Sequence, residues 1–384
     1  MQKVPVNPVY LDTATTTPIH PEILKDMALI NKTYFENADS LHFGGQRVSD
    51  LVAQSRKALA QHFKVLPHEV IFTSGASESN SAAIKGIAFA NQDRGKHIIT
   101  SSIEHASVLE SVRQLVDHFG FEATYLPVNH KGQVSSSDLL QALRKDTVLV
   151  SIMAVNNEVG SIQDIESLVK VVKKNSSAYF HTDAVQSLAK HDFPLQQIDA
   201  VTYSAHKING LKGSGLLILR SGVPFLPLIN GGQQESGRRG GTTDNASAIL
   251  FAKTLRLALE SYDKHHEDVL KMQSYIYDYF KDDEDITFNS SIDQSPYIIN
   301  FSVENVGSEI MMNGLNSKGY AISAQSTCNS KSNKASHVLK SMGISDKAAF
   351  STIRISLSHD TSLTDIKALC SQIMEIKNYA KHTV

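Results

Sequence analysis

The stretch "EVIFTSGASESNSAAIKGIAFA", residues 69–90, carries the reading of the fold. Its first part is apolar and β-branched, which suits a buried strand. The run breaks at Gly75, and residues 77–90 continue in a helical pattern. The same alternation recurs downstream. "HASVLESVRQLVDHFG" (105–120) spaces Val108, Leu109, Val112, Leu115, Val116 and Phe119 at i, i+3, i+4 and i+7, one helical face closed by Gly120. "TVLVSIMAV" (147–155), "AYFHTDA" (178–184), "AVTYSAH" (200–206) and "GLLILR" (215–220) are near-continuous apolar runs of strand length. Strands buried on both faces read this way. The pattern therefore predicts an α/β fold, a mainly parallel sheet covered by helices on both sides.

The pattern shifts near residue 246. Two long helical stretches follow, "NASAILFAKTLRLALESYD" (245–263) and "HEDVLKMQSYIYDYFKDD" (266–283). After them come "YIINFSV" (297–303), a helix at 308–318, "STIRISLS" (351–358) and a closing helix "LTDIKALCSQIMEIKNYA" (363–380). This is an α+β arrangement. At 384 residues the chain has room for two domains. The expected division is a large domain over 15–258 and a smaller α+β domain made of 1–14 and 259–384.

Composition narrows the function classes. A formal net charge of −2 gives no basic field for nucleic acid and no polybasic patch for a membrane. Two cysteines make no disulfide framework, and no CxxC pair points to zinc or a redox dithiol. The first residues lack the apolar core of a signal peptide, and no run reaches membrane-spanning length. A cytoplasmic protein is expected.

Polar groups cluster where the strands end, as ligand sites do in open α/β sheets. In "YSAHKINGLKGSG" (203–215), Lys207 follows a buried strand and precedes a glycine-rich turn. Alone, it fits a surface lysine with a buried stem. Ser204 and His206 beside it suit an anion site next to an amine. An amine that loses its proton near neutrality holds a carbonyl cofactor as a Schiff base. Asp183, in "HTDAVQS" (181–187), either caps the next helix or meets a cation such as a protonated pyridine nitrogen. "TSGASES" (73–79) is a strand, a glycine turn and a helix start, the arrangement that captures phosphate with backbone N–H groups. "SAQSTCNSKS" (323–332) sets Cys328 in a stretch too polar to bury, whereas Cys370 lies on an apolar helical face and reads as core. Met311 and Met312 read as core too.

In order, the chain shows "YLDTATTTP", "TSGASESN", "SIEHASVLES", "NNEVGSIQDI", "HTDAVQS", "SAHKINGLKGSG", "GGQQESGRRGGTTDN", "STCNSKSNKASHVL" and "IRISL". This series resembles the cysteine desulfurase family, within the class V aminotransferase group of pyridoxal 5'-phosphate enzymes, from about residue 9 to about residue 366. The resemblance implies the type I fold of these enzymes and a role at each matching position. Lys207 is the Schiff-base lysine, His105 stacks on the cofactor ring, Asp183 faces the pyridine nitrogen and Gln186 the phenolic oxygen. Ala76, Ser77, Ser204 and His206 form the phosphate cradle. Thr242 reaches the phosphate of a partner subunit, which implies a homodimer. Asn156 and Arg354 hold the substrate carboxylate, a task suited to the forked guanidinium. Cys328 receives sulfur from L-cysteine, releasing L-alanine, and passes it to an acceptor protein for iron–sulfur clusters or tRNA thiolation. The spacing from Cys328 to Arg354 resembles the branch with a long cysteine loop.

Several positions depart from the family pattern: "TATTT" (13–17) for an Asn-Ala-Ala-Thr-Thr run, Ser77 for threonine, "NADS" (37–40), Leu211 for proline, Gly240 for serine and Thr327 for alanine. Two further readings stay open on sequence alone. One is a pyridoxal-phosphate lyase or aminotransferase acting on another amino acid, such as selenocysteine. The other is a weakly active scaffold that binds partner proteins.

Overall fold

The computed structural model describes residues 8–324, 335–358 and 360–383. A two-residue strand, β1 (Val9–Tyr10), opens the described chain. The strands β2 (Val70–Thr73), β3 (His97–Ser101), β4 (Glu122–Leu126), β5 (Thr147–Ser151), β6 (Tyr179–Asp183), β7 (Ala200–Ser204) and β8 (Gly215–Leu219) then build a seven-stranded sheet in the order β2-β8-β7-β6-β5-β3-β4. Neighbours are parallel except where β8 runs antiparallel to β2 and β7. Side chains alternate across the sheet. Ile98, Leu149 and Leu217 therefore pack on one side against Ile84, Ile87, Val108 and Leu115. Ile99, Val150 and Ile218 pack on the other against Val52, Leu59, Leu168 and Phe251. Both faces are covered, so the chain is the α/β protein that the apolar runs predict.

The structure shortens some runs and adds two strands to this sheet. Sequence reading did not single out β3 or β4, and β4 has mixed burial because it lies at the sheet edge. The run 147–155 leaves the sheet after Ser151; Ile152 and Ala154 still donate to the carbonyls of His181 and Asp183 before the chain turns into the site described below. In helix Ala106–Phe119 the buried stripe is Val108, Val112 and Leu115. Phe119, at its end, is 46% exposed and meets Phe89 edge-on at 5.0 Å.

A second core lies beyond the sheet. The strands β9 (Ile286–Phe288), β10 (Ile298–Val303) and β12 (Thr352–Ser356) form an antiparallel sheet in the order β12-β10-β9, and β11 (Tyr320–Ala321) pairs with β1 in parallel. Helices Tyr262–Phe280 and Leu363–Thr383 cover it with Val269, Met272, Ile276, Ile366 and Ile373. Leu11 and Ala14, from the far end of the chain, complete this core. Met311 and Cys370 are fully buried in it, as their apolar settings predict. Leu211 is absorbed into a small cluster with Ile23, Ile30, Ala246 and Leu250. No helix among the described residues is long and apolar enough to cross a membrane.

Burial pushes the Cys370 thiol up to about 12, so it stays protonated and shielded. In a Cys328→Ser variant, a chromogenic thiol reagent at pH 8 is expected to find no reactive thiol until denaturant is added, and then one. Rapid labelling of the folded variant would contradict this packing.

Candidate active site

The carboxyl ends of β3, β6 and β7 open onto a cavity of about 970 Å³. Lys207 stands on its floor, in the single turn Ala205–Lys207 that follows β7. Its Nζ donates to the carbonyl oxygens of Ala14 and, at 2.7 Å, Thr15. Burial, with the nearby charges of Lys190 and Arg354, holds this amine down to about 7 against the pull of Asp12 and Asp183. It is therefore a partly neutral amine at physiological pH, not a surface lysine. Lys190 itself is pulled down to about 8 by burial. His206, also lowered by burial, to about 4, bonds through Nδ1 to the Thr16 hydroxyl at 3.0 Å.

One side of the cavity is built for an anion. Helix Ala76–Ala90 begins at Gly75, whose φ of 146° suits glycine, and no side chain caps it. Its first N–H groups have no partner within the helix. A Cβ on Gly215 would lie 2.5 Å from the Gly75 Cα, so this corner closes only with glycine at 215. Ala76, Ser77, Ser204 and His206 line it together with Lys212 and Gly213.

On the opposite side Asp183 ends β6, buried, with Oδ1 accepting from the Val185 N–H at 3.0 Å and Oδ2 from Asn80 Nδ2 at 2.7 Å. Asn80, completely buried, gives its other N–H to the Ser107 hydroxyl at 2.9 Å. Ser107 in turn meets His105 Nδ1 through its hydroxyl at 2.8 Å and its N–H at 3.1 Å. With Nδ1 accepting, the ring carries its proton on Nε2. Burial lowers the His105 pKa, which keeps the ring neutral. Asn80 was missed by sequence reading, although it sits in the quoted motif "TSGASESN". Glu104 was missed too. Its Oε1 accepts from Ser101 at 2.6 Å and the Met153 N–H at 2.9 Å, and burial pushes it up to about 8, a carboxyl protonated at neutral pH.

Arg354, on β12, reaches the cavity from the second core and is only 3% exposed. Its Nη2 donates to Asp12 Oδ1 at 2.6 Å and the Thr15 hydroxyl at 2.8 Å, and its Nη1 to the Asn157 carbonyl at 2.8 Å. Gln186 gives its Nε2 to the Ala14 carbonyl at 2.9 Å, and its Oε1 is buried without a partner. Asn156 lies behind the wall. Its amide donates to the Ile103 carbonyl and accepts from the N–H groups of Glu158 and Val159, so it shapes the turn while Asn157 lines the cavity. Thr242 is exposed and lies away from this chain's cavity. Cys328 lies outside the described residues; Ala335 and His337, beyond it, line the cavity.

A model described as aminotransferase class-V matches residues 9–369. The cysteine desulfurase IscS of Dictyoglomus turgidum is 40% identical over 362 residues, covering 93% of this chain and 91% of that protein. The cysteine desulfurase IscS of Methanosarcina thermophila is 37% identical, covering 96% and 91%. Among solved structures, a NifS-like protein superposes with a TM-score of 0.90 at 32% identity, over 97% of this chain and 100% of that one. A structure described as SspA in complex with cysteine gives 0.80 at 34% identity, over 91% and 98%. The chain belongs to the aminotransferase class-V family. Within it, the similarity is to cysteine desulfurases, which are pyridoxal phosphate enzymes, and pyridoxal phosphate is the cofactor here. The residues present fit that group: a partly neutral amine for its aldehyde, an uncapped helix start for its phosphate, a held carboxylate for its ring nitrogen, and an orphaned amide oxygen beside them.

The lowered amine is expected to make Lys207 the most aldehyde-reactive of the described lysines in the cofactor-free protein. Brief treatment with a small aldehyde and a mild hydride donor at pH 7.5 is expected to modify Lys207 first, read by peptide mass spectrometry, with the preference fading below pH 6 as the amine protonates. Asn80→Ala is expected to weaken cofactor binding about tenfold, since it leaves Asp183 without one of its two donors. A spectroscopic titration checks this; an unchanged affinity would remove Asn80 from the site.

Proposed function

We propose that the protein removes sulfur from L-cysteine and releases L-alanine, with Lys207 as the base and Cys328 as the residue that receives the sulfur. The observation that supports this most directly is the Lys207 amine, held close to neutral by burial and directed by two carbonyls at the floor of a cavity that Arg354 also lines. Bound pyridoxal phosphate would supply an electron sink next to the substrate Cα. Lys207, His105, Asp183 and Gln186 would hold its ring, and Ala76, Ser77, Ser204 and His206 its phosphate. Asp183 suits the ring nitrogen because its carboxylate is buried and kept in place by Asn80 and the Val185 N–H.

Arg354 would bind the substrate carboxylate, with Asn156 shaping the wall beside it. Lys207, once free of the cofactor, takes the Cα proton; an amine with a pKa near 7 can both accept and return it at neutral pH. Cys328, as thiolate, attacks the sulfur of the substrate. The new S–S bond forms as the substrate Cβ–S bond breaks with its electron pair passing to Cβ, which takes up a proton equivalent to the one the Cys328 thiol gave up. With the Cα proton returned, this leaves a persulfide on Cys328 and releases alanine. His105, neutral with its proton on Nε2, is a donor beside these events. Two copies of the chain would complete the site, with Thr242 serving the phosphate of the other. A cytoplasmic sulfur acceptor, such as an iron–sulfur scaffold or a tRNA-thiolation protein, would take the sulfur. The two separate cores support the division into 15–258 and 1–14 with 259–384.

Incubation with L-cysteine and a reductant is expected to yield alanine and sulfide in equal amounts. Lys207→Ala should yield neither. Cys328→Ser should keep the cofactor absorbance band and lose the persulfide. Full cysteine turnover by Cys328→Ser would sink the sulfur-relay role, and turnover by Lys207→Ala would sink the whole reading.

A further inference from the structure

Thr15 joins the Lys207 amine to the Arg354 guanidinium. Its carbonyl accepts from Lys207 Nζ at 2.7 Å. Its hydroxyl donates to Asp12 Oδ1 at 2.9 Å and accepts from Arg354 Nη2 at 2.8 Å. Arg354 Nη2 also donates to Asp12 Oδ1, at 2.6 Å, so carboxylate, hydroxyl and guanidinium close a triangle. A hydroxyl suits the third corner because it can donate to a carboxylate while accepting from a guanidinium. Valine has the same shape and can do neither.

The triangle decides what Arg354 has left to offer. A guanidinium has five N–H groups. Two on Nη2 go to Asp12 and Thr15, and one on Nη1 goes to the Asn157 carbonyl. The Nε–H is buried without a partner. The Nε–H and the second N–H on Nη1 are held in place because the three occupied ones fix the plane and rotation of the side chain. A charge-assisted bond to an incoming carboxylate gains most when the donor is already ordered.

We propose that Thr15 is a positioning residue for substrate recognition: its hydroxyl locks Arg354 for the α-carboxylate, and its backbone sets the spacing from Arg354 to the Lys207 amine. This rests on the reading of Arg354 as the carboxylate-binding residue given above.

The test compares Thr15→Val, Thr15→Ser and Arg354→Gln in the holoenzyme. Steady-state kinetics with L-cysteine are combined with the dissociation constant of L-alanine, followed through the cofactor absorbance without turnover. Thr15→Val is expected to raise KM and the L-alanine dissociation constant about fivefold while kcat stays within about twofold. Thr15→Ser, which keeps the hydroxyl, should restore both values. Arg354→Gln should weaken L-alanine binding more than either. If Arg354→Gln leaves L-alanine binding unchanged, the carboxylate reading itself fails. If Arg354→Gln weakens it and Thr15→Val does not, the Thr15 proposal is overturned. It is also overturned if Thr15→Ser behaves like Thr15→Val, or if Thr15→Val loses kcat and cofactor binding in parallel, the mark of a structural role alone.

Discussion

The contact between the Lys207 amine and the carbonyls of Ala14 and Thr15 ties the reactive end of the large sheet to the segment that enters the small one. Lys207 comes from the turn after β7 in the large sheet. Ala14 belongs to the core of the small sheet. The segment 12–17 runs between them and bonds to both. Towards the small sheet, Ala14 N–H donates to Ser356 and Thr13 to the Leu357 carbonyl. Towards the large one, the Thr17 N–H and hydroxyl donate to the His206 carbonyl, and the Asn209 N–H donates to the Thr17 hydroxyl. A reactive amine so placed has little freedom to wander, and its surroundings are set by two separate cores.

Burial also fixes the charge state of the site. Lys207, His105 and His206 are driven down and Glu104 is driven up, and in each case burial is the largest cause. Each shift favours the neutral form, as expected for groups withdrawn from water. Beside them the Arg354 guanidinium and the Asp12 carboxylate form a pair 2.6 Å apart, almost fully buried on the arginine side. Such a pair is retained at a desolvation cost, which makes it poor evidence for stability and better evidence for a binding task.

Much of this is legible in the sequence, and the limits have physical causes. The buried strands β5 to β8 announce themselves because both faces demand apolar side chains. Edge strand β4 faces solvent on part of its surface and does not. Lys207, Asp183, Arg354 and His105 lie in short ordered motifs, so local sequence is enough to mark their positions. Their partners are another matter. The bond between Asp12 and Arg354 spans 342 residues, and that between Lys207 and Ala14 spans 193. No local pattern encodes such pairs. Asn156 shows the opposite failure: the motif is visible, yet the amide is committed to its own turn and the neighbouring Asn157 lines the cavity.

Asn80 shows how one element can serve two ends of a site. Its helix begins at Ala76 with uncapped N–H groups, and Asn80 lies about one turn further along, roughly 6 Å on at 1.5 Å per residue. From there its amide holds the Asp183 carboxylate and, through Ser107, the His105 ring. Unpaired helix N–H groups and a carboxylate clamp are thus carried by a single rigid body, packed through Ala83, Ile84 and Ile87 against the sheet. Any shift of that helix would move both ends together and keep their separation. A loop could supply the same groups, but it could not hold that distance.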